Sequence, residues 1–129
     1  VIISDSYTLA TEHLKRKLGF DRTIANELII RDSKITGKVE MPLNWSDKDS
    51  DCLKYKYSVC KLNSLIEISE EMNIPLKNCV AIGDNMADIG MLRGAGIGVA
   101  FNPKSRLVEK SADVVLNNDL CELLGVIEG

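Results

Sequence analysis

The stretch VAIGDNMADI, residues 80–89, decides the fold of this chain. A short apolar strand ends at Gly83-Asp84, and a second carboxylate, Asp88, follows four residues after Asp84. A buried strand that stops at Gly-Asp places its carboxylate at the carboxyl end of a sheet, where open α/β folds bind ligands. Two acids in one crevice repel each other unless a hard cation such as Mg²⁺ lies beside them. The stretch therefore predicts metal-assisted phosphate chemistry.

Apolar periodicity on both sides of this stretch predicts an α/β fold. From residue 58 onward strands and helices alternate, which is typical of a mainly parallel sheet with helices on both faces. Before residue 58, two strands around Asp32-Ser33 predict a small β-hairpin, and residues 41–57 are polar and irregular. The predicted strands are 1–4, 24–31, 34–40, 79–82, 97–101 and 114–116, and the predicted helices are 6–18, 58–72, 86–93, 103–110 and 120–127. Ser58 is the predicted N-cap of its helix.

Composition excludes several classes of protein. The 129 residues suffice for one compact domain, and no linker divides residues 1–129 into two. A net charge of -3 argues against nucleic acid or an anionic membrane as a partner, and no apolar run approaches a membrane span. The four cysteines lack a C-x-x-C pair, which favours reduced, mostly buried thiols in a cytoplasmic protein. A zinc site would need closer cysteine spacing and more histidine than His13 alone.

Two further stretches have a plainer interpretation than their pattern first indicates. The glycines of GAGIG, residues 94–98, lack the spacing and position of a dinucleotide-binding fingerprint, and we interpret them as a helix stop and a tight turn. Asp47, Asp49 and Asp51 alternate like the acids of a Ca²⁺ loop. The glycine and the distal glutamate of such a loop are absent, so these acids predict a solvated loop.

Four more residues are candidates for binding phosphate. Ser4-Asp5-Ser6 closes the first predicted strand and opens the first predicted helix, an arrangement that can bind an anion. Lys61 lies near a helix start, where a cation is disfavoured unless a phosphate or a carboxylate is close. Taken alone, the triplet also fits ordinary N-capping, and Lys61 also fits an exposed lysine. Likewise, Asp84 alone fits a helix cap and Asp88 alone fits a solvated first-turn acid.

Taken together and in order, these residues resemble the haloacid dehalogenase (HAD) superfamily of phosphatases, most closely its phosphoserine phosphatase branch. Ser4 matches the second family motif, Lys61 the third, and Gly83-Asp84 with Asp88 the fourth. The segments that resemble this branch most closely are 19–21, 24–28, 35–40 and 95–104. The resemblance covers nearly the whole chain and implies a HAD-like Rossmannoid core.

The resemblance also implies a reaction and a role for each residue. A Mg²⁺-dependent phosphomonoester hydrolase of this kind forms an aspartyl-phosphate on an Asp nucleophile. Ser4 and the N–H of Asp5 would bind phosphoryl oxygens, and Lys61 would stabilise the nucleophile and the phosphate. Asp84 would ligate Mg²⁺, and Asp88 would hold its outer shell and Lys61. The substrate would be a small phosphorylated metabolite, which for a phosphoserine phosphatase belongs to serine biosynthesis.

The chain departs from the family pattern in three places. No D-x-D motif ends an apolar strand, so we expect this motif, its strand and the substrate-selecting cap upstream of residue 1. The fourth motif has Asn85 and Ala87 where the family has G/S and an Asn, and Asn85 would partly replace that amide in binding phosphate. Ser4-Asp5-Ser6 replaces the commoner Ser-Gly-Gly and looks more like the Ser-Asp-Thr of a phosphoserine:homoserine phosphotransferase. Residues 41–57 form a longer segment than in the standard enzyme.

Two other functions stay open at this point. One is a pseudo-phosphatase or phosphate-binding module without turnover, which Asn85 and Ala87 favour. The other is a receiver-like signalling domain, which the order Ser, Lys, Asp pair disfavours. A chain without its nucleophile is expected to be inactive alone. Without the first strand, apolar edges beside residues 1–3 and 80–82 also predict self-association.

Overall fold

The structure, a computed structural model, describes residues 1–129, which divide into two compact units, Val1–Ser64 and Leu65–Gly129. The expectation that the chain is one domain stays a prediction. None of the helices has the length and the apolar character needed to cross a membrane.

The first unit is built on a three-stranded sheet in the order β1-β2-β3. Strand β1 pairs parallel with β2, and β2 pairs antiparallel with β3. The predicted hairpin is present, and its turn residues Asp32 and Ser33 have φ values of 50° and 60°. Such positive values give a two-residue turn the twist of its strands. The elements are β1 Ile2–Tyr7, α1 Thr8–Leu18, β2 Thr23–Arg31, β3 Lys34–Glu40, α2 Ser50–Tyr55 and the first turn of α3, which spans Lys61–Glu71 and continues into the second unit.

The start of α1 differs from the prediction. Strand β1 continues to Tyr7, and α1 begins at Thr8 without a side-chain cap, so neither Asp5 nor Ser6 caps it. The Ser6 N–H donates to Ser4 Oγ at 3.0 Å, and the register between β1 and β2 shifts in this stretch. Local bonds of this kind compete with helix formation, which explains why the polar triplet stays in the strand. The prediction that Ser4-Asp5-Ser6 forms an anion-binding helix start is therefore wrong, because these residues lie in β1.

The polar segment before α3 is more regular than predicted. Asp49 Oδ1 accepts from the N–H groups of Asp51 at 2.9 Å and Cys52 at 3.1 Å, and it caps α2. Asp49 is only 8% exposed, so the prediction of a solvated loop is wrong for this residue. Helix α3 begins at Lys61, and Ser58 bonds to other residues instead of capping it. A six-residue helix carries too little periodicity to be recognised in a polar segment.

The second unit contains the parallel sheet that the sequence predicted. Strands β4 Val80–Gly83, β5 Ile97–Phe101 and β6 Val114–Leu116 lie in the order β4-β5-β6 and pair parallel throughout. Side chains that are almost fully buried form the core of this unit, namely Ile89, Leu92, Val99 and Val108. Its helices are α4 Ile89–Gly94, α5 Arg106–Glu109 and α6 Leu123–Glu128, with 3₁₀ turns at Leu76–Asn78, Met86–Asp88 and Leu120–Glu122. The α/β prediction, with a parallel sheet and helices, is confirmed.

Candidate functional site

Asp84 lies directly after β4, at the carboxyl end of the parallel sheet, as predicted. Its side chain is 43% exposed. It borders a pocket of about 380 Å³. The pocket is lined by the ends of β4 and β5 and by the residues after them, namely Ile82, Gly83, Asp84, Phe101, Asn102 and Lys104. This edge of the sheet is where open α/β folds bind ligands.

Asp88 is a buried carboxylate that orders the turn carrying Asp84. It is only 2% exposed, and its Oδ2 accepts from the N–H groups of Asp84 at 2.8 Å and Asn85 at 3.0 Å. Hydrogen bonds to a charged acceptor are about twice as strong as neutral ones. The alternative of a solvated first-turn acid is therefore wrong. Asp88 holds the backbone of the Gly-Asp-Asn turn, while the Asp84 carboxylate stays accessible.

Asn85 caps the 3₁₀ turn that follows Asp84, so Asp84 is not the cap. Asn85 Oδ1 accepts from the Ala87 N–H at 2.9 Å, and Asn85 Nδ2 donates to Asp84 Oδ1 at 3.4 Å. The side chain is thus held between the turn and the Asp84 carboxylate. Its predicted contact with phosphate stays a prediction.

Lys104 is a neighbour of Asp84 that the sequence reasoning did not select. Its Nζ lies 3.6 Å from Asp84 Oδ2. Its backbone N–H also donates to the Asp84 carbonyl at 2.7 Å. The Lys104 side chain is 70% exposed, so solvent screens the ion pair. Lys104 could have been identified from its position shortly after β5, because β4 and β5 are parallel and end at the same edge of the sheet.

The oxygen atoms around Asp84 suit Mg²⁺. This ion is usually bound through one or two carboxylates together with waters and substrate phosphates. Asp84 offers an accessible carboxylate on a turn that buried hydrogen bonds hold in place. Asp88 fits a supporting position, because its Oδ2 already accepts two N–H groups. The accessible Asp84 carboxylate therefore fits the predicted ion, and its role as the direct ligand stays a prediction.

The first unit places Lys61 beside Asp5. The Lys61 side chain is 10% exposed, and its Nζ lies 3.8 Å from Asp5 Oδ2. Lys61 is the first residue of α3, where the helix dipole disfavours a cation, and the Asp5 carboxylate offsets this cost. The alternative of a plain exposed lysine is therefore wrong. Ser4 lies two residues before Ser6 and accepts its N–H, so the Ser4 hydroxyl proton stays available as a donor.

Asn26 and Ser58 form hydrogen bonds with Asp5 and with each other. Neither residue was predicted to have a role at this site. Asn26 Nδ2 donates to the Asp5 carbonyl at 2.8 Å and to Ser58 Oγ at 2.9 Å. Ser58 Oγ donates to Asp5 Oδ1 at 3.2 Å. Asn26 is 5% exposed, within the strand-forming run that begins at Ile24. A polar side chain in a buried strand was the available signal, because such groups need hydrogen-bond partners.

The fold, the residues around Asp84 and the residues around Lys61 define a class of protein. It is an α/β protein with an accessible carboxylate at the carboxyl end of its parallel strands. The family model for haloacid dehalogenase-like hydrolases matches residues 21–120. Because this match spans most of the chain, the protein belongs to the haloacid dehalogenase-like hydrolase family. The predicted family is confirmed.

Relatives with known names point to one branch of this family. The chain is 35% identical over 127 residues to a phosphoserine phosphatase of Methanocaldococcus jannaschii, covering 98% of this chain and 54% of the relative. It is 34% identical over 124 residues to a phosphoserine phosphatase of Haemophilus influenzae, covering 95% of this chain and 35% of the relative. The predicted likeness to the phosphoserine phosphatase branch is confirmed.

A solved structure supports the same likeness. The chain superposes on a phospho-aspartyl intermediate analogue of phosphoserine phosphatase with a TM-score of 0.77 and 34% identity, covering 97% of this chain and 54% of that one. The chain thus spans about half the length, or less, of the relatives that it matches.

Proposed function

We propose that this chain carries the phosphate-binding and Mg²⁺-binding residues of a Mg²⁺-dependent phosphomonoester hydrolase similar to phosphoserine phosphatase. One observation carries the proposal: the buried Asp88 carboxylate binds the N–H groups of Asp84 and Asn85 and leaves the Asp84 carboxylate accessible. A rigidly held carboxylate at this edge of the sheet suits a metal that acts on phosphate. The proposed substrate is a small phosphorylated metabolite, with phosphoserine, and hence serine biosynthesis, as the first candidate.

Each residue has a task in this proposal. When bound, Mg²⁺ offsets negative charge on the phosphate. Asp84 ligates the ion, and Asp88 keeps the Asp84 backbone in place. The Ser4 hydroxyl and the Asp5 N–H donate to phosphoryl oxygens, which fixes the orientation of the group. The Lys61 ammonium neutralises charge that develops on the transferring phosphoryl group.

The experiment that tests this proposal uses the protein made from its complete gene. Phosphate release from O-phospho-L-serine is measured with and without Mg²⁺, beside other phosphomonoesters. Asp84→Asn is expected to lower kcat/KM by about 100-fold or more, the usual effect of removing one group that stabilises the transition state. Asp32→Asn is the matched control, since it changes an exposed turn acid in the same way and keeps near-full activity. Equal activity of the two variants would contradict the proposal.

Lys104 is expected to compete with the metal for Asp84. Lys104→Gln removes a cation that lies 3.6 Å from the Asp84 carboxylate. Because exposed ion pairs contribute about 0.2–1 kcal/mol, we expect Mg²⁺ to bind about 1.5- to 5-fold more tightly. Calorimetric titration of the chain with Mg²⁺ measures this change, and Lys110→Gln serves as an exposed-lysine control. Weaker Mg²⁺ binding in Lys104→Gln than in the control would show that Lys104 supports the ion.

The 129-residue chain alone is expected to show no turnover. The proposed reaction needs an aspartate nucleophile, and removing a covalent nucleophile removes the reaction path. Phosphate release by the purified chain should equal that of its Asp84→Asn variant at every Mg²⁺ concentration. Metal-dependent turnover that copurifies with the chain and disappears in the variant would refute this expectation.

The rival proposal is a phosphate-binding module without turnover. It is favoured by Asn85, whose side chain is engaged with Ala87 and Asp84 instead of being free for substrate. The product of the complete gene would then bind phosphate in the presence of Mg²⁺ and release none from phosphomonoesters. The activity assay above separates the two functions.

We also propose that the chain self-associates when it is produced as residues 1–129. Strands β1 and β4 are the edge strands of their sheets, and Val1 and Ile82 are 45% and 37% exposed. Exposed apolar edges invite pairing with another chain. Light scattering is expected to give a mass that rises with concentration, and Ile82→Lys should reduce this rise. A constant monomer mass at high concentration would contradict the proposal.

A further inference from the structure

Three potential metal ligands to which the proposed function gives no role lie together in the first unit. Asp49, Cys52 and Cys60 are 8%, 1% and 0% exposed. Their ligand atoms, one carboxylate oxygen and two Sγ atoms, all lie within 4.8 Å of one another. Asp49 is the N-cap of α2, Cys52 lies in the first turn of that helix, and Cys60 directly precedes α3. The fold has therefore assembled a cluster from residues that lack a metal-binding spacing in the sequence.

The spacing of the three ligand atoms is compatible with a single tetrahedral ion. Zinc–sulfur bonds of about 2.3 Å and zinc–oxygen bonds of about 2.1 Å place neighbouring ligand atoms roughly 3.5–3.8 Å apart. Since no pair of ligand atoms is more than 4.8 Å apart, shortening each distance by roughly 1.3 Å or less would bring the atoms to that spacing. The three side chains leave a coordination position for a further ligand.

The orientation of Asp49 is already fixed. Its Oδ1 accepts the N–H groups of Asp51 and Cys52, so the carboxylate is held against α2. Supporting hydrogen bonds of this kind orient a ligating group and tune its affinity for a metal. Burial, together with the neighbouring Cys60 and Asp49 side chains, raises the pKa of Cys52 well above its ordinary value, so a bound cation has to displace the thiol proton.

We propose that Asp49, Cys52 and Cys60 form a binding site for a single thiophilic divalent cation such as Zn²⁺ or Cd²⁺. Binding displaces the two thiol protons to solvent, and the two thiolates and the carboxylate become ligands of the cation. Two sulfur ligands select a soft cation over Mg²⁺, which prefers oxygen ligands only. Because protons are released, the affinity rises with pH.

The bound cation would also stabilise the first unit. It would link the start of α2 to the residue that precedes α3, across the short segment that joins the two helices. A ligand that binds only the folded state raises stability by about 2.7 kcal/mol at 100 times its dissociation constant. The proposed site therefore has a second readout, the melting temperature, which does not depend on any enzymatic activity.

The test uses Cd²⁺ as the probe, in the chain with Cys79→Ser and Cys121→Ser so that the thiols outside the cluster cannot contribute. Ultraviolet absorption from sulfur-to-cadmium charge transfer is expected to saturate at one equivalent, and Zn²⁺ should displace it. Adding Cys52→Ser or Cys60→Ser should remove the band and weaken binding by more than about 100-fold, beyond the 10- to 100-fold cost of losing a supporting residue. Adding Asp49→Asn, which keeps the helix cap, should weaken binding less.

The outcomes are distinct. The chain with Cys79→Ser and Cys121→Ser is the background protein. The site is supported if Zn²⁺ raises the melting temperature of this protein and Cd²⁺ gives the one-equivalent band, even where a cluster variant unfolds. Circular dichroism identifies such a variant. A folded background protein without the Cd²⁺ band would overturn the proposal. A band that persists in both folded Cys→Ser variants would overturn it as well.

Discussion

Replacing Asp88 with alanine is expected to lower the free energy of unfolding by about 3–6 kcal/mol, because two hydrogen bonds to a charged acceptor are lost and each contributes about 1.5–3 kcal/mol. The variant loses the bonds from the Asp84 and Asn85 N–H groups, at 2.8 and 3.0 Å, and leaves a cavity at a position only 2% exposed. Urea unfolding followed by circular dichroism measures the change. Mg²⁺ binding should weaken in the same variant, since the turn that carries Asp84 is no longer held.

Two further variants distinguish the structural role of Asp88 from the metal-binding role proposed for Asp84. Asp88→Asn keeps an oxygen acceptor for the two N–H groups and should cost clearly less stability than Asp88→Ala. Asp84→Ala removes an accessible carboxylate and should change stability by no more than about 1 kcal/mol, as is usual for exposed groups, while abolishing Mg²⁺ binding. Equal stability losses in Asp84→Ala and Asp88→Ala would contradict the supporting role that the structure assigns to Asp88.

Gly98→Ala is the second large effect that we expect. A Cβ at Gly98 would lie 2.2 Å from the Leu92 carbonyl oxygen, which is backbone of α4 and cannot turn away like a side chain. Asp113 also holds this residue, because the Gly98 N–H donates to Asp113 Oδ2 at 2.7 Å and the Asp113 N–H donates to the Gly98 carbonyl at 2.8 Å. We expect destabilisation by about 3 kcal/mol, the upper part of the usual cost of overpacking.

The matched control for this prediction is Gly125→Ala. A Cβ at Gly125 would meet nothing within 4 Å, and the residue lies in α6. Alanine forms helices better than glycine, so the control should be neutral or gain up to about 1 kcal/mol. Thermal unfolding compares the two variants, with about 10 °C expected between the Gly98→Ala variant and the unchanged chain. Equal melting temperatures would mean that α4 moves away from β5 at little cost.

Much of the fold could be predicted because its signals are local in the sequence. The alternation of apolar strands and helices after residue 58 predicted the parallel β4-β5-β6 sheet. The Asp32-Ser33 pair predicted the hairpin, and the predicted helix 6–18 ends where α1 ends, before Gly19 with a φ of 74°. In each case a nearby residue favours the conformation directly, so tertiary contacts only reinforce it.

The rest depended on contacts between residues that are distant in sequence. Nothing near Asn26 indicates that its amide binds Asp5 and Ser58, which lie 21 and 32 residues away. The spacing of Cys52 and Cys60 in the sequence likewise does not predict that their side chains lie close to each other and to Asp49. Asp88 was a predicted site residue, but its burial followed from the three-dimensional turn, since a first-turn acid is usually solvated.

The central claim is that Asp84 is the Mg²⁺ ligand of this chain, and amide NMR of the chain during Mg²⁺ titration tests it most directly. We expect saturable shifts at the amides of Gly83, Asp84 and Asn85, which Asp84→Asn abolishes and Asp32→Asn leaves unchanged. The absence of saturable shifts there, or shifts that persist in Asp84→Asn, would contradict the claim.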